Sequence, residues 1–321
     1  MYGFKEIIVL CWDNLILAHN MLFLGIEIAN TASQFEIFCN NVRMSNSLVE
    51  DIRYKYHRIS TIINECFWNI SSDTQHSLYV GSYGRGTSIG YSDVDIIVQL
   101  PSSYYNRFNS YRGNGQSALL QEVRNVLYMT YPQSSIRGDG QIVSIAFENI
   151  TFEILPAFLC NDGSFLYPDS NNGGSWKKTN PKPEIDSFNR YNKTMNKNLK
   201  RLCRMIRSWN YYNDVGLDGQ FIDVTCLSFL LNYSYNDKTY VYYDWMVRDY
   251  FDYMHNNCNS TKWNMPGSKR EIRPNRTFRN TVKDAYDLCS LAIDYQDKDC
   301  MYSACKTWRD IFGTRFPSYQ A

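Results

Sequence analysis

Apolar residues recur at helical spacing from residue 47 to 70, and the run stops at Ser71-Ser72-Asp73, which predicts a long first helix. From 78 to 158 strand-like blocks take over, among them Ile96-Ile97-Val98 and Phe152-Glu153-Ile154-Leu155. One helical stretch at 116–129 interrupts them, so this region predicts a mixed sheet. Residues 161–186 are rich in Asn, Asp, Gly and Pro and read as a linking loop. Beyond them helical patterns dominate, at 187–213, 222–233, 240–256 and 278–294. The expected fold class is mixed α+β and bilobal. A palm with a mixed sheet spans 44–186 and a helical domain spans 187–321, with the active cleft between them.

Residues 1–43 read as an N-terminal extension. Apolar blocks occur there, such as Ile7-Ile8-Val9-Leu10 and Met21-Leu22-Phe23-Leu24. Glu6, Asp13, Asn14, His19, Asn20 and Glu27 interrupt any apolar span of the ~18 residues that a bilayer requires. No basic leader with a secretory cleavage site precedes them. The expectation is a cytoplasmic protein without membrane contact, with Met44 as a candidate alternative start.

Composition narrows the function classes. A chain of 321 residues accommodates two domains or one large bilobal unit. The 26 tyrosines and 7 tryptophans suit a chain that builds a core and stacks bases. A net charge of +1 argues against broad nucleic-acid coating, so strong nucleic-acid binding is not expected. Basic residues do gather locally: Arg201, Arg204 and Arg207, with Lys197 and Lys200 beside them, form a stripe on a predicted helix. The ten cysteines contain no Cys-x-x-Cys pair, and His255, Cys258, Cys300 and Cys305 fit no standard zinc spacing. Reduced, mostly buried thiols are expected.

The chemistry concentrates in one window. Tyr79-Val80-Gly81-Ser82-Tyr83-Gly84-Arg85-Gly86-Thr87 is followed by Ser92-Asp93-Val94-Asp95-Ile96-Ile97-Val98. Asp93 and Asp95 sit two residues apart at the start of a strand, so both carboxylates project to one side. Like charges held on a buried strand require a neutralising cation, and oxygen ligands suit Mg²⁺. Two Mg²⁺ ions about 3.5–4 Å apart, with Mn²⁺ as a substitute, suit in-line displacement at phosphorus. Gly81 permits close backbone approach to a phosphate, Ser82 supplies a hydroxyl, and following amides point at phosphate if a helix starts here. Glu153, set between Phe152 and Ile154 on an apolar strand, is the expected third ligand; Glu148, in the preceding turn, is the weaker candidate.

With these residues the chain resembles the nucleotidyltransferase superfamily, and within it the bacterial CD-NTases related to cyclic GMP-AMP synthase and oligoadenylate synthase. The resemblance covers roughly residues 50 to 315. Tyr54-Lys55-Tyr56-His57-Arg58-Ile59-Ser60 and Ile63-Asn64 look like the family's first helix, Phe152–Ala157 like the strand of the third metal ligand, and Ser175–Pro181 like the segment after it. Glu153 stands where many relatives have Asp. Leu199–Trp209 resembles the helix that carries a triphosphate-binding base, and Arg207 occupies the usual Lys position. Gln220 and Phe221 resemble the polar-aromatic pair that touches donor phosphate and stacks on the donor base, although Gly219 and Asp223 depart from the usual pattern.

The resemblance implies synthesis of a cyclic di- or trinucleotide from nucleoside triphosphates, ATP among them, for a CBASS antiphage system. It also implies a downstream effector that binds the product, and a ubiquitin-transfer-like conjugating partner at the terminal Ala321. The alternatives are a linear polymerase or RNA-tailing enzyme on the same palm, and a catalytically silent nucleotide sensor.

Overall fold

The computed structural model describes residues 30–90 and 92–319. Asn30 caps the first helix, α1 (Thr31–Asn41), by accepting from the Ser33 amide. Ser45 does the same for α2 (Asn46–Ile63) through the Leu48 amide. Ile52, Ile59, Ile62 and Ile63 of α2 are buried in one cluster with the sheet. A π-helical turn at Asn64–Trp68 ends the helix, and Asn69 leaves it in the left-handed region (φ 54°).

The palm sheet contains β1 (Ser77–Tyr79), β2 (Val94–Gln99), β3 (Ser135–Asp139), β4 (Ile142–Ala146) and β5 (Thr151–Leu159) in the spatial order β1-β2-β5-β4-β3. The short helix α3 (Gly81–Arg85) joins β1 to β2, and α4 (Ser102–Asn109) and α5 (Gly115–Thr130) join β2 to β3. Among the described residues β2 and β5 are the one parallel pair, with Val94 opposite Phe152 and Asp95 opposite Glu153. Val94, Ile96, Val98, Phe152 and Ile154 share a buried cluster with α2 and α5. Strand alternation therefore places Asp95 and Glu153 on the opposite face.

The segment 161–186 is not a linking loop. It forms a hairpin of β6 (Phe165–Asp169) and β7 (Ser175–Thr179), and β6 pairs with the end of β5. Its Asn- and Gly-rich part is only the hairpin turn, where Asn172 takes φ 52°. The helix α6 (Pro181–Thr194) then starts inside the expected linker, with Pro in its first turn, where a missing amide costs nothing.

The expected helix 187–213 is broken between α6 and α7 (Asn198–Tyr212), because Asn196 and Lys197 adopt φ 47° and 68°. The lobe continues with α8 (Gly219–Leu230), α9 (Tyr243–Asn256), a small hairpin of β8 (Trp263–Asn264) and β9 (Glu271–Ile272), α10 (Arg279–Asp297) and α11 (Met301–Phe312). The sequence reading did not anticipate α4 or α11.

The helical lobe also claims α1. Phe35 and Phe38 are fully buried; Phe35 meets Trp308 edge-on at 5.0 Å and Phe316 at 5.3 Å, while Phe38 lies 4.5 Å from Phe312. The expected boundary at residue 43 is thus corrected, since α1 is part of a core rather than of an extension. Residues 1–29 lie outside the described residues. The 313–318 stretch is anchored by the buried Phe316 ring and by Arg309, which donates to the Phe316 carbonyl at 2.7 Å. Among the described residues no helix is long and apolar enough to cross a membrane.

Candidate active site

β1 ends at Tyr79, and the Val80 amide donates to the Asp95 carbonyl at 2.9 Å, so the chain enters α3 directly beside β2. Gly81 opens α3 with φ +58°. A Cβ there would lie 1.8 Å from Asp95 Oδ2, so no other residue fits without displacing that carboxylate. No side chain caps the start of α3, so its first amides have no capping partner from a side chain. Ser82 is buried, and its carbonyl accepts from the Thr87 amide at 2.9 Å, closing the turn behind it.

Asp95 and Glu153 lie side by side on adjacent parallel strands and share a hydrogen bond. Burial, followed by the charges of Asp95 and Asp93, pushes the Glu153 carboxyl up to about 7. Burial also raises Asp95, an effect partly offset by the hydrogen bond from Glu153 and by the positive charges of Arg85 and Arg207. Asp93 is exposed just ahead of β2. Among the described residues no three His, Cys, Asp or Glu side chains converge as a ready metal-holding set. Asp95 and Glu153 meet, whereas Asp93 acts on them through its charge. A divalent cation fits this arrangement for an electrostatic reason: burial and mutual repulsion oppose ionising both adjacent carboxylates, and a cation would relieve that.

Behind α3 lies a second cluster, centred on the fully buried Asp223 of α8. Arg85 donates to Asp223 Oδ2 from Nε at 3.0 Å, and Thr87 Oγ1 donates to the same oxygen at 2.8 Å. From α7, Arg207 donates Nε to Asp223 Oδ1 at 3.1 Å and a terminal nitrogen to Oδ2 at 2.8 Å. Burial alone would raise Asp223, but the Arg207 and Arg85 guanidiniums outweigh it and hold the carboxyl below the usual range. Three residues of this cluster, Arg85, Thr87 and Asp223, were missed as functional candidates. The available signal was a lone Asp between Ile222 and Val224 on an otherwise apolar helix, which has to find a cation.

Two expected roles are corrected by these contacts. Phe221 is fully buried, packed edge-on against Trp263 at 5.0 Å and tilted against Phe278 at 5.4 Å, so its ring is not available to stack on a base. Arg207 does not stand free for a triphosphate, because its donors are directed to Asp223 and to the Gly219 carbonyl at 2.8 Å. It does border a cavity of about 160 Å³ with Ser92, Asn210 and Tyr211. Gln220 is exposed at the start of α8 and accepts from Arg270 at 2.8 Å. Gly81, Ser82, Asp95 and Glu153 are brought together as the spacing predicts.

Residues 30–192, just over half of the chain, match the profile of the Second Messenger Oligonucleotide or Dinucleotide Synthetase domain. A relative from Bacillus cereus strain VD146, named probable cyclic nucleotide synthase, is 21% identical over 194 residues. That alignment covers 57% of this chain and 57% of the relative, so the chain matches little more than half of the relative's length. Among solved structures, Escherichia coli MS115-1 CdnC in complex with HORMA superimposes with a TM-score of 0.63 at 15% identity, covering 90% of this chain and 98% of CdnC. The Bradyrhizobium diazoefficiens CD-NTase CdnG in complex with GTP superimposes with a TM-score of 0.64 at 9% identity, covering 90% and 96%. At these identities the superpositions establish the bilobal nucleotidyltransferase fold. The domain match establishes kinship: the chain belongs to the Second Messenger Oligonucleotide or Dinucleotide Synthetase family, the bacterial CD-NTases.

Proposed function

We propose that this chain is a nucleotidyltransferase that joins nucleoside triphosphates into a cyclic di- or trinucleotide second messenger for antiphage signalling, releasing pyrophosphate as each bond forms. The observation that carries the reading is the in-register pair Asp95 and Glu153 lying beneath Gly81 at the uncapped start of α3. Solved neighbours that hold ATP and GTP support nucleoside triphosphates as the substrates.

Asp93, Asp95 and Glu153 are the residues that would hold Mg²⁺, or Mn²⁺ in its place. When bound, the metal neutralises phosphate charge and makes the attacking ribose hydroxyl more acidic. The chain supplies the rest. Gly81 and Ser82 present backbone amides and a hydroxyl to the donor phosphates. Burial raises the metal-free Glu153 carboxyl to about 7, so a bound cation would draw off its proton and leave it as an anionic ligand beside the attacking hydroxyl. Arg85 and Arg207 favour the ionised form of Asp95 from behind. Gln220 borders a cavity of about 390 Å³ that Asp218, Glu271 and Arg273 also line, and a donor-phosphate role for it rests on the family resemblance alone. A downstream protein that binds the cyclic product belongs to the same reading. The proposed conjugation at Ala321 lies outside the described residues.

The test is incubation of purified protein with the four labelled triphosphates and Mg²⁺, followed by phosphatase. A resistant product is expected from the wild type and none from Asp93→Ala with Asp95→Ala. A phosphatase-sensitive ladder would replace cyclisation by tailing, and turnover by the double variant would remove these carboxylates from the reaction.

A further inference from the structure

Three cations meet behind the Gly-Ser segment without an acid to balance them. Arg204 of α7 reaches across to the palm and donates to the Gly86 carbonyl at 2.7 Å, while its Nε is buried with no acceptor. Lys200, one turn earlier, lies 2.9 Å from where a Cβ on Gly86 would sit, and its amino group donates to the neutral Asn189 Oδ1 at 2.7 Å. Arg43, just past the end of α1, is exposed and close enough to lower the Arg204 guanidinium further, although burial is the larger cause. Burial, then the charge of Arg204, lowers Lys200 as well. Among the described residues, none of these three has a carboxylate within ion-pair distance.

Arg43 and Arg204 border a space of the right form for a ligand. Arg43, Met44, Tyr83, Gly86, Ser88 and Arg204 line a cavity of about 190 Å³. Arg43 and Met44 also line a neighbouring cavity of about 610 Å³, whose other walls include Asn40, Asn46, Gly90 and Arg315. Among the described residues no Asp or Glu lines either cavity. Arginines, amides and hydroxyls without a carboxylate form an acceptor-poor lining, which is suited to a multiply charged oxyanion. Desolvated cations that lack a counter-charge cost stability, and a bound anion would remove that cost.

We propose that this cleft binds a small polyanion of the phosphate class, held by Arg43 and Arg204 against Gly86 and Ser88. It is separate from the carboxylate pair, because it lies beyond the C-terminal end of α3 while Asp95 lies at the N-terminal end. Ser88, which lines the smaller cavity, stands five residues before Asp93 in the chain. A free nucleotide and a phosphodiester product share the required chemistry.

Calorimetric titration in EDTA, where metal-dependent turnover cannot occur, tests the site independently of the proposed activity. Tripolyphosphate, ATP and a linear dinucleotide are the three probes, and their ranking separates the two sources. Saturable binding by at least one probe is expected to weaken about tenfold in Arg43→Ala, corresponding to the loss of one charge-assisted contact. Arg43 is exposed, so this variant should keep the wild-type melting temperature. Arg204→Gln should weaken binding further if it folds. Equal affinity in wild type and Arg43→Ala, or no saturable binding of any probe at millimolar concentration, would overturn the proposal.

Discussion

At the scale of single residues, Glu153 is the group whose environment differs most from its surroundings in sequence. A carboxyl moved from 4.5 to about 7 binds more protons in the folded than in the unfolded chain between those values. The stability of metal-free protein must therefore fall as pH rises through that window. A cation reverses the trend, because it stabilises the ionised pair and releases the proton. Melting curves should accordingly show a larger Mg²⁺-induced rise at about pH 8 than at about pH 5.5, a difference that Glu153→Gln removes. An equal rise at both values would detach Glu153 from the cation. That a buried strand Glu needs a partner was legible in its setting between Phe152 and Ile154. The chemistry already grouped it with Asp93 and Asp95, but the register that sets Asp95 directly opposite Glu153 is a pairing across nearly sixty residues of chain, which local pattern does not carry.

At the scale of elements, local pattern served best where one face of a helix or strand is buried. The α2 stripe and the strands β2 and β5 are of this kind. It failed where tertiary contacts decide. The hairpin β6–β7 hides behind a turn-rich composition, and α1 hides behind apolar blocks that could belong to anything. What makes α1 structural is a set of rings that come from the other end of the chain: Trp308, Phe312 and Phe316. Phe35→Ala should then lower the unfolding free energy by about 3–5 kcal/mol, the usual cost of emptying a fully buried aromatic site. Chemical denaturation reads this directly. A change below about 1 kcal/mol would mean that α1 is dispensable and would return it to the status of an extension.

At the scale of the molecule, the question is what holds the palm against the helical lobe at the distance the cleft requires. Asp223 is the strongest candidate because it is one carboxylate shared by both parts. Arg85 and Thr87 reach it from the Gly-Ser segment, and Arg207 reaches it from α7. Removing it leaves the buried Arg207 guanidinium without a counter-charge and Arg85 with only Glu184 at 3.9 Å, and breaking such a buried network typically costs about 3–5 kcal/mol. A purely structural pair would stop there. Here Arg85 also follows directly on the turn that presents Ser82, and both arginines lower the proton affinity of Asp95. Asp223→Asn should thus lower product formation at temperatures well below the melting point, and shift its pH profile downward, because Arg85 and Arg207, relieved of their counter-charge, favour ionised Asp95 more strongly. Arg207→Met combined with Asp223→Leu removes the guanidinium and its acid together, and should recover part of the stability lost in Asp223→Asn without recovering the rate. Non-additivity of about 1–3 kcal/mol in the Arg207–Asp223 cycle is the expected signature of the shared contact. Additive effects on stability with an unchanged pH profile would reduce Asp223 to a packing residue.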